Sequence, residues 1–335
     1  LRRRPTTSDV FGFKVFRPVS TAEFSSLGWS VSMYVRRVGQ HVEVLAPAKL
    51  NLFLEVLAKR PDGFHEIETV MAPVALFDGL TVRAEADSAI RLQCEQLAVA
   101  AAGSTTANQI VPTGPENLIV RALEALRQQA GTEQGATVQL TKRIPLAAGM
   151  AGGSTDAAAA LAAANEAWNL HWPAERLAEV AATLGSDIPF FFSRTAALCR
   201  GRGEQVEPLS SLVPLDFVVV APPVGLSTAD VYRNCRPAAE PQRARDLVLA
   251  WKYGDKTAVG RLLHNRLQEP AERLCDWIAR LKNEFNRYDC LGHQMSGSGT
   301  SYFALCRDAR HARRLAAAVA ARGWGRTMTV RSCTA

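Results

Sequence analysis

At 335 residues with 47 % apolar side chains, the chain can bury one large core or two ordinary ones, and no apolar run approaches the ~20 residues of a membrane span. Of its net charge of +7, residues 1–40 carry +5 through seven Arg/Lys and two acids, so the remainder is near neutral and lacks the basic footprint of a nucleic-acid binder. Seven scattered cysteines with no C-x-x-C, and no His pair at ligand spacing, argue against a zinc site or disulfide framework and fit a reducing compartment.

Residues 1–40 are Arg-, Ser- and Thr-rich with little periodicity, and disorder is expected over most of them. An upstream artefact ahead of Met33, or a genuine arm, is preferred to an organellar transit peptide. The first two readings place the protein in a bacterial cytoplasm, the third in a plastid. Residues 42–46 read as a strand. A second strand begins at Lys49, with Leu50, Leu52, Leu54 and Val56 on one face and Asn51, Phe53 and Glu55 on the other. A lysine at the start of a strand is more often a solvated edge charge than a functional group. Arg60-Pro61-Asp62-Gly63 is a turn that presents Phe64 beside His65; taken alone it is a hairpin tip with a half-buried ring. Strands are expected over 67–71, 78–84 and 89–94, then an amphipathic helix from Leu118.

A strand over 138–142 leads into Arg143-Ile144-Pro145-Leu146-Ala147-Ala148-Gly149-Met150-Ala151-Gly152-Gly153-Ser154-Thr155-Asp156 and an alanine-rich helix. Small residues let backbone N–H groups approach a ligand, and Ser154, Thr155 and Asp156 are N-cap candidates. A helix N-terminus favours an anion, most often phosphate. The loop has neither the lysine of a P-loop nor a G-x-G-x-x-G, and a tight turn with close packing is the plain alternative. A helix over 174–184 stops at Leu184-Gly185-Ser186-Asp187-Ile188-Pro189-Phe190. There Asp187 either holds a turn or is a partly buried carboxylate with a chemical task. The rest reads as a strand over 195–199, a buried strand over 215–221, a short helix capped by Ser227 or Thr228, and helices over 244–264 and 270–285. A second small-residue loop, Met295-Ser296-Gly297-Ser298-Gly299-Thr300, precedes a strand, a helix over 309–322 and a last strand over 327–331.

Pro47-Ala48-Lys49-Leu50-Asn51-Leu52, the 145–156 loop and Ser296-Gly297-Ser298-Gly299 occur together and in order. On these motifs the chain resembles the GHMP small-molecule kinases over about residues 42–331. Arg60-Pro61-Asp62-Gly63-Phe64-His65, Glu116-Asn117-Leu118-Ile119 and the 184–190 segment are similar to the branch whose acceptor is a cytidine-diphosphate-linked methylerythritol. The resemblance implies an α+β, two-domain GHMP kinase fold: an N-terminal ribosomal-protein-S5-like β/α domain over 41–205 and a C-terminal ferredoxin-like α/β domain over 206–335. It implies ATP and Mg²⁺, and phosphorylation of the acceptor's 2-hydroxyl in the non-mevalonate isoprenoid route. The protein would be a monomer or homodimer without nucleic-acid or membrane partners.

By the same resemblance Asp187 is the general base and Lys49 its cationic partner. ATP would be held by Pro145, Leu146, Ala147, Ala148, Gly149, Met150, Ala151, Gly152, Gly153, Ser154 and Thr155, with Asn117 towards the nucleotide and Ser154 the nearest candidate for Mg²⁺. The acceptor would meet Asn51, Phe64, His65, Thr228 and Tyr232, backed by Ser298 and Gly299. A mevalonate- or homoserine-type kinase and a non-catalytic sensor on the same fold are the alternatives; the presence of both Lys49 and Asp187 weighs against the sensor. The chain departs from the family's A-G-L-G-G-G-S-S at Met150 and Ala151, and carries Phe64 where Tyr is frequent. A positive φ at Ala151 would cost on the order of 1 kcal/mol or more.

Overall fold

The computed structural model describes residues 33–97 and 111–333. The first sheet is built on two long strands, β2 (His41–Lys59) and β3 (His65–Glu85). Short separate strands were expected here. Each runs unbroken because bulges rather than turns absorb the irregular steps, with register shifts at Pro47/Ala48, Asn51/Phe53 and Val56/Ala58. β1 (Tyr34–Val38) pairs with β2 at Tyr34↔Leu45, so the expected disorder of the leader does not extend to these residues: backbone pairing and the burial of Met33 hold them. The rest of that expectation, residues 1–32, lies outside the described residues.

β4 (Ile90–Gln96), β5 (Gly135–Lys142), β6 (Ala197–Arg200) and β7 (Gln205–Pro208) complete the sheet from the first half of the chain. The order is β1-β2-β3-β5-β4, with β6 pairing β3 and β7. Helices α1 (Leu118–Ala130), α2 (Gly152–Ala167) and α3 (Ala174–Ala182) pack with the sheet into one core. α2 is buried nearly all round. Its alanines, Ala157–Ala160, have no accessible surface, and side chains this small let the helix lie close to the strands.

β8 (Asp216–Ala221) begins the second sheet, antiparallel in the order β10 (Gly292–Met295), β11 (Tyr302–Cys306), β8, β12 (Arg326–Arg331). Around it lie α4 (Thr228–Arg233), α5 (Arg245–Lys252), α6 (Lys256–Arg261), α7 (Gln268–Leu274), α8 (Asp276–Phe285) and α9 (Ala309–Ala320). The helices expected over 244–264 and 270–285 are each split. Gly254 turns the chain at φ 76 and Asp255 caps α6 by accepting from Ala258 N; Cys275 breaks α7 from α8 in an extended conformation. β9 (His264–Asn265) returns to the first sheet, parallel to β2. Units at 41–205 and 206–335 are our proposal for the division of the chain, with β7 and β9 straddling it. Among the described residues no helix is long and apolar enough to cross a membrane.

Candidate active site

A cavity of about 460 Å³ opens where β2, the β5–α2 loop, the turn after α3 and the second small-residue loop converge. Lys49 lies inside β2 rather than at its start. Bulges on either side of it re-aim the strand's side chains. Its ammonium is buried, donates to the Asn51 side-chain oxygen and to Gly149 O (3.1 Å), and sits 3.8 Å from Asp187 Oδ2. The Asp187 side chain is 38 % exposed, so a sheltered cation faces a carboxylate that substrate can reach. Burial pulls the Lys49 pKa down, and Asp187 opposes that shift. Asp187 is held on its turn by the Pro189–Phe192 3-10 turn, whose Phe190 and Phe191 are anchored in the core.

The two small-residue loops are seated back to back. Lys49 N donates to Met150 O (3.1 Å), Ser301 N to Ala148 O (3.1 Å) and Ser296 Oγ to Gly149 O (3.0 Å). Gly149 has φ 69, and a Cβ there would come 2.2 Å from Ser296 O, so no other residue fits. The expected caps do not cap. α2 begins at Gly152 after Ala151, which takes the left-handed conformation at φ 55, ψ 33 and makes no side-chain cap. Ser154, Thr155 and Asp156 therefore fall inside the helix. The first turn's N–H groups, on Gly152, Gly153 and Ser154, lack intrahelical partners and belong to residues lining the cavity.

Beneath the loop lies a cluster that the sequence did not announce. Lys142 Nζ donates to Asp78 and to Asp156 Oδ2 (2.6 Å), and Asp78 also accepts from Arg143 N and Ile144 N (2.8 Å). All three side chains are buried. Burial would lower the Lys142 pKa, but Asp156 and Asp78 hold it above its usual value. Burial pushes Asp156 up, and Lys142 only partly offsets this. Asp78 stands 64 residues from Lys142, and no local pattern links them.

On the other side of the cavity Tyr232 lines the wall, its ring 5.2 Å from that of His65. Phe64, 53 % exposed, and His65 lie outside the lining of the cavity, His65 reaching it only through Tyr232. Thr228 and Ser298 share a hydroxyl hydrogen bond of 2.8 Å, and Gly299 lines the cavity beside them. Asn51 also lines it, with Nδ2 donating to Thr69 Oγ1 (2.9 Å). Burial, with Lys59 nearby, lowers the His65 pKa. Among the residues expected at ATP, Pro145 to Gly149 and Ala151 to Ser154 line the cavity, whereas Met150 and Thr155 are buried outside its lining. Asn117 is not brought to it. It caps α1 by accepting from Ile119 N (2.8 Å) and donates to Pro112 O (2.6 Å). Thr69, Ser186 and Arg202 join the lining unannounced. Among the described residues no group of three or more His, Cys, Asp or Glu is placed to hold a metal.

The family profile "GHMP kinases N terminal domain" matches residues 117–194, and "GHMP kinases C terminal" matches residues 244–323. A 4-diphosphocytidyl-2-C-methyl-D-erythritol kinase from Pelotomaculum thermopropionicum is 43 % identical over 278 residues, 82 % of this chain and 93 % of that protein. One of the same name from Shouchella clausii is 36 % identical over 78 % of this chain and 84 % of its own. A crystal structure of 4-(cytidine 5'-diphospho)-2C-methyl-D-erythritol kinase superposes with TM-score 0.72 at 34 % identity, over 88 % of this chain and all of that one. A homoserine kinase from Cytophaga hutchinsonii superposes with TM-score 0.68 over 90 % of this chain and 97 % of its own, but at 19 % identity it shares the fold alone.

Proposed function

The chain belongs to the GHMP kinase family of ATP-dependent small-molecule kinases, and from that premise we propose that it transfers the γ-phosphoryl group of ATP to the 2-hydroxyl of 4-diphosphocytidyl-2-C-methyl-D-erythritol. The observation that carries the reaction is the buried Lys49 beside the accessible Asp187 at the mouth of the small-residue loop. Relatives named for this acceptor, alike over nearly their whole length, support the choice of substrate. The product would serve non-mevalonate isoprenoid synthesis.

The work divides among named groups. The N–H groups of Gly152, Gly153 and Ser154, with the positive end of α2, receive the phosphates. Asp187 takes the proton of the acceptor hydroxyl as its oxygen bonds to the γ-phosphorus and the bond to the β-phosphate oxygen breaks, releasing ADP. Lys49, 3.8 Å from Asp187, places its positive charge beside the reacting hydroxyl and stabilises the developing alkoxide. Asn51 holds Lys49 in line, with one hydrogen and one lone pair left for the acceptor. Phe64 and Tyr232 stack against the cytosine, and Thr228 contacts the same substrate. A neutral His65, carrying one donor and one acceptor, suits the edge of the base.

Mg²⁺ is part of the proposal. A hard cation that keeps waters and phosphate oxygens needs few protein ligands, and the Ser154 hydroxyl at the cavity fits that requirement. When bound, it neutralises charge on the transferring phosphates. A cytoplasmic site of action, as a monomer or homodimer and without nucleic acid, belongs to the same reading.

The test offers ATP with the cytidyl acceptor, mevalonate or homoserine and measures ADP release. Turnover is expected with the cytidyl acceptor. Preferential phosphorylation of either of the others would overturn the assignment.

A further inference from the structure

We propose that Arg202 reads the diphosphate of the acceptor and so sets the preference for a cytidine diphosphate conjugate over an uncharged alcohol, an inference that rests on the acceptor assigned above. Arg202 sits on the tight turn after β6. Ile67 N donates to Gly201 O (2.8 Å), which ties the turn to β3, and Arg202 N donates to the Glu204 carboxylate (2.6 Å), which shapes it. The turn abuts the reacting end of the cavity: a Cβ on Gly203 would stand 3.6 Å from Asp187 Oδ1. The Arg202 guanidinium carbon lies 5.0 Å from the centroid of the Phe64 ring. Arg202 thus stands over the aromatic assigned to the base, on a turn that abuts the carboxylate assigned to the hydroxyl.

The acceptor has the same order: base, diphosphate, polyol. With the cytosine at Phe64 and the 2-hydroxyl at Asp187, the diphosphate must pass between them. Three cationic side chains line the cavity. Lys49 is committed to Asn51, Gly149 O and Asp187, and Lys142 to Asp78 and Asp156. Among the described residues the Arg202 guanidinium makes no hydrogen bond, and its nearest carboxylate oxygen is Glu204 Oε1 at 3.7 Å. Its side chain is 31 % exposed, so its donors can reach a ligand. A planar guanidinium stacked on a ring still presents its edge, which suits two-point contact with phosphate oxygens.

The experiment compares wild type, Arg202→Gln and Arg202→Lys. Steady-state constants for the cytidyl acceptor and ATP are measured, with inhibition by CDP and by cytidine. Arg202→Gln is expected to raise the acceptor KM roughly 10-fold or more, the loss of a charged hydrogen bond, with the ATP KM and kcat little changed. CDP inhibition should weaken to the same degree while cytidine inhibition stays, and Arg202→Lys should recover part of both effects. Unchanged acceptor KM and CDP inhibition in Arg202→Gln would overturn the proposal. So would equal weakening of CDP and cytidine, because the arginine would then act only by packing on Phe64. Failure of the wild type to use the cytidyl acceptor is the separate result that would remove the acceptor reading, and this one with it.

Discussion

Ala151 turns the chain into α2 at φ 55, where glycine is at ease and alanine is not. Relief of that strain by Ala151→Gly, about 1–2 kcal/mol, exceeds the extra freedom glycine gives the unfolded chain, about 0.4–1 kcal/mol. Urea unfolding should therefore show Ala151→Gly more stable by about 0.5 kcal/mol, with kcat retained; a loss of stability would contradict the left-handed geometry. Lys49 governs a second residue-scale expectation. Its working form is the cation, and burial has lowered its pKa against the pull of Asp187. Raising the pH through that lowered value removes the proton and the charge that supports Asp187. The alkaline limb of kcat/KM should consequently fall at a lower pH than an ordinary lysine would give. A pH–rate profile flat to the ordinary lysine range would refute this.

At the scale of elements, the β5–α2 unit is fixed from below by Asp78, Lys142 and Asp156. Lys142→Met leaves two buried carboxylates without their cation, and breaking a buried pair from one side costs about 3 kcal/mol or more. Chemical denaturation should show that loss, and the ATP KM should rise because Asp78 also holds the N–H groups at the start of the loop. Wild-type stability would show that the cluster is not structural. The strand, loop and helix themselves were readable from sequence, since alternation, small residues and alanine content are local signals. The cluster was not, because Asp78 comes from a distant strand and Asp156, on the helix, reads locally as a cap. Of the two breaks after residue 244, Gly254-Asp255 is a helix stop followed by a cap and so a local signal that the longer apolar spacing masked, whereas Cys275 carries no such signal and its break shows only in the backbone.

Across the whole molecule, the strand that carries Lys49 is clasped by the second half of the chain. Glu55 of β2 has no accessible surface and is bound by Arg266 (2.7 and 2.9 Å), His264 (3.1 Å) and Gln242 N (3.1 Å). Gln294 Nε2 donates to Asn51 O (2.9 Å) and Leu52 O (3.1 Å), and Asn51 N donates to Ser296 Oγ (3.2 Å). Burial alone would raise the Glu55 pKa, but the bonds from Arg266 and His264 hold it well below the usual carboxylate range. A depressed pKa contributes stability above the unfolded carboxylate's value and loses it as pH falls through the folded one. Glu55→Gln should cost about 3 kcal/mol at neutral pH, and the gap to wild type should narrow in acid. Thermal unfolding at both pH values checks this, and a gap that widens in acid would contradict the sign. The sequence offered Lys49 and Asp187 as partners only through a pattern spread over three segments. Their meeting at 3.8 Å depends on long-range pairing that none of those segments encodes alone.

General-base catalysis by Asp187 is tested most directly by Asp187→Asn, assayed for ATP-dependent phosphorylation of the cytidyl acceptor alongside its unfolding transition. A kcat reduced by roughly 10²-fold or more in a protein that still folds is the expected result. Turnover like that of the wild type would contradict the mechanism.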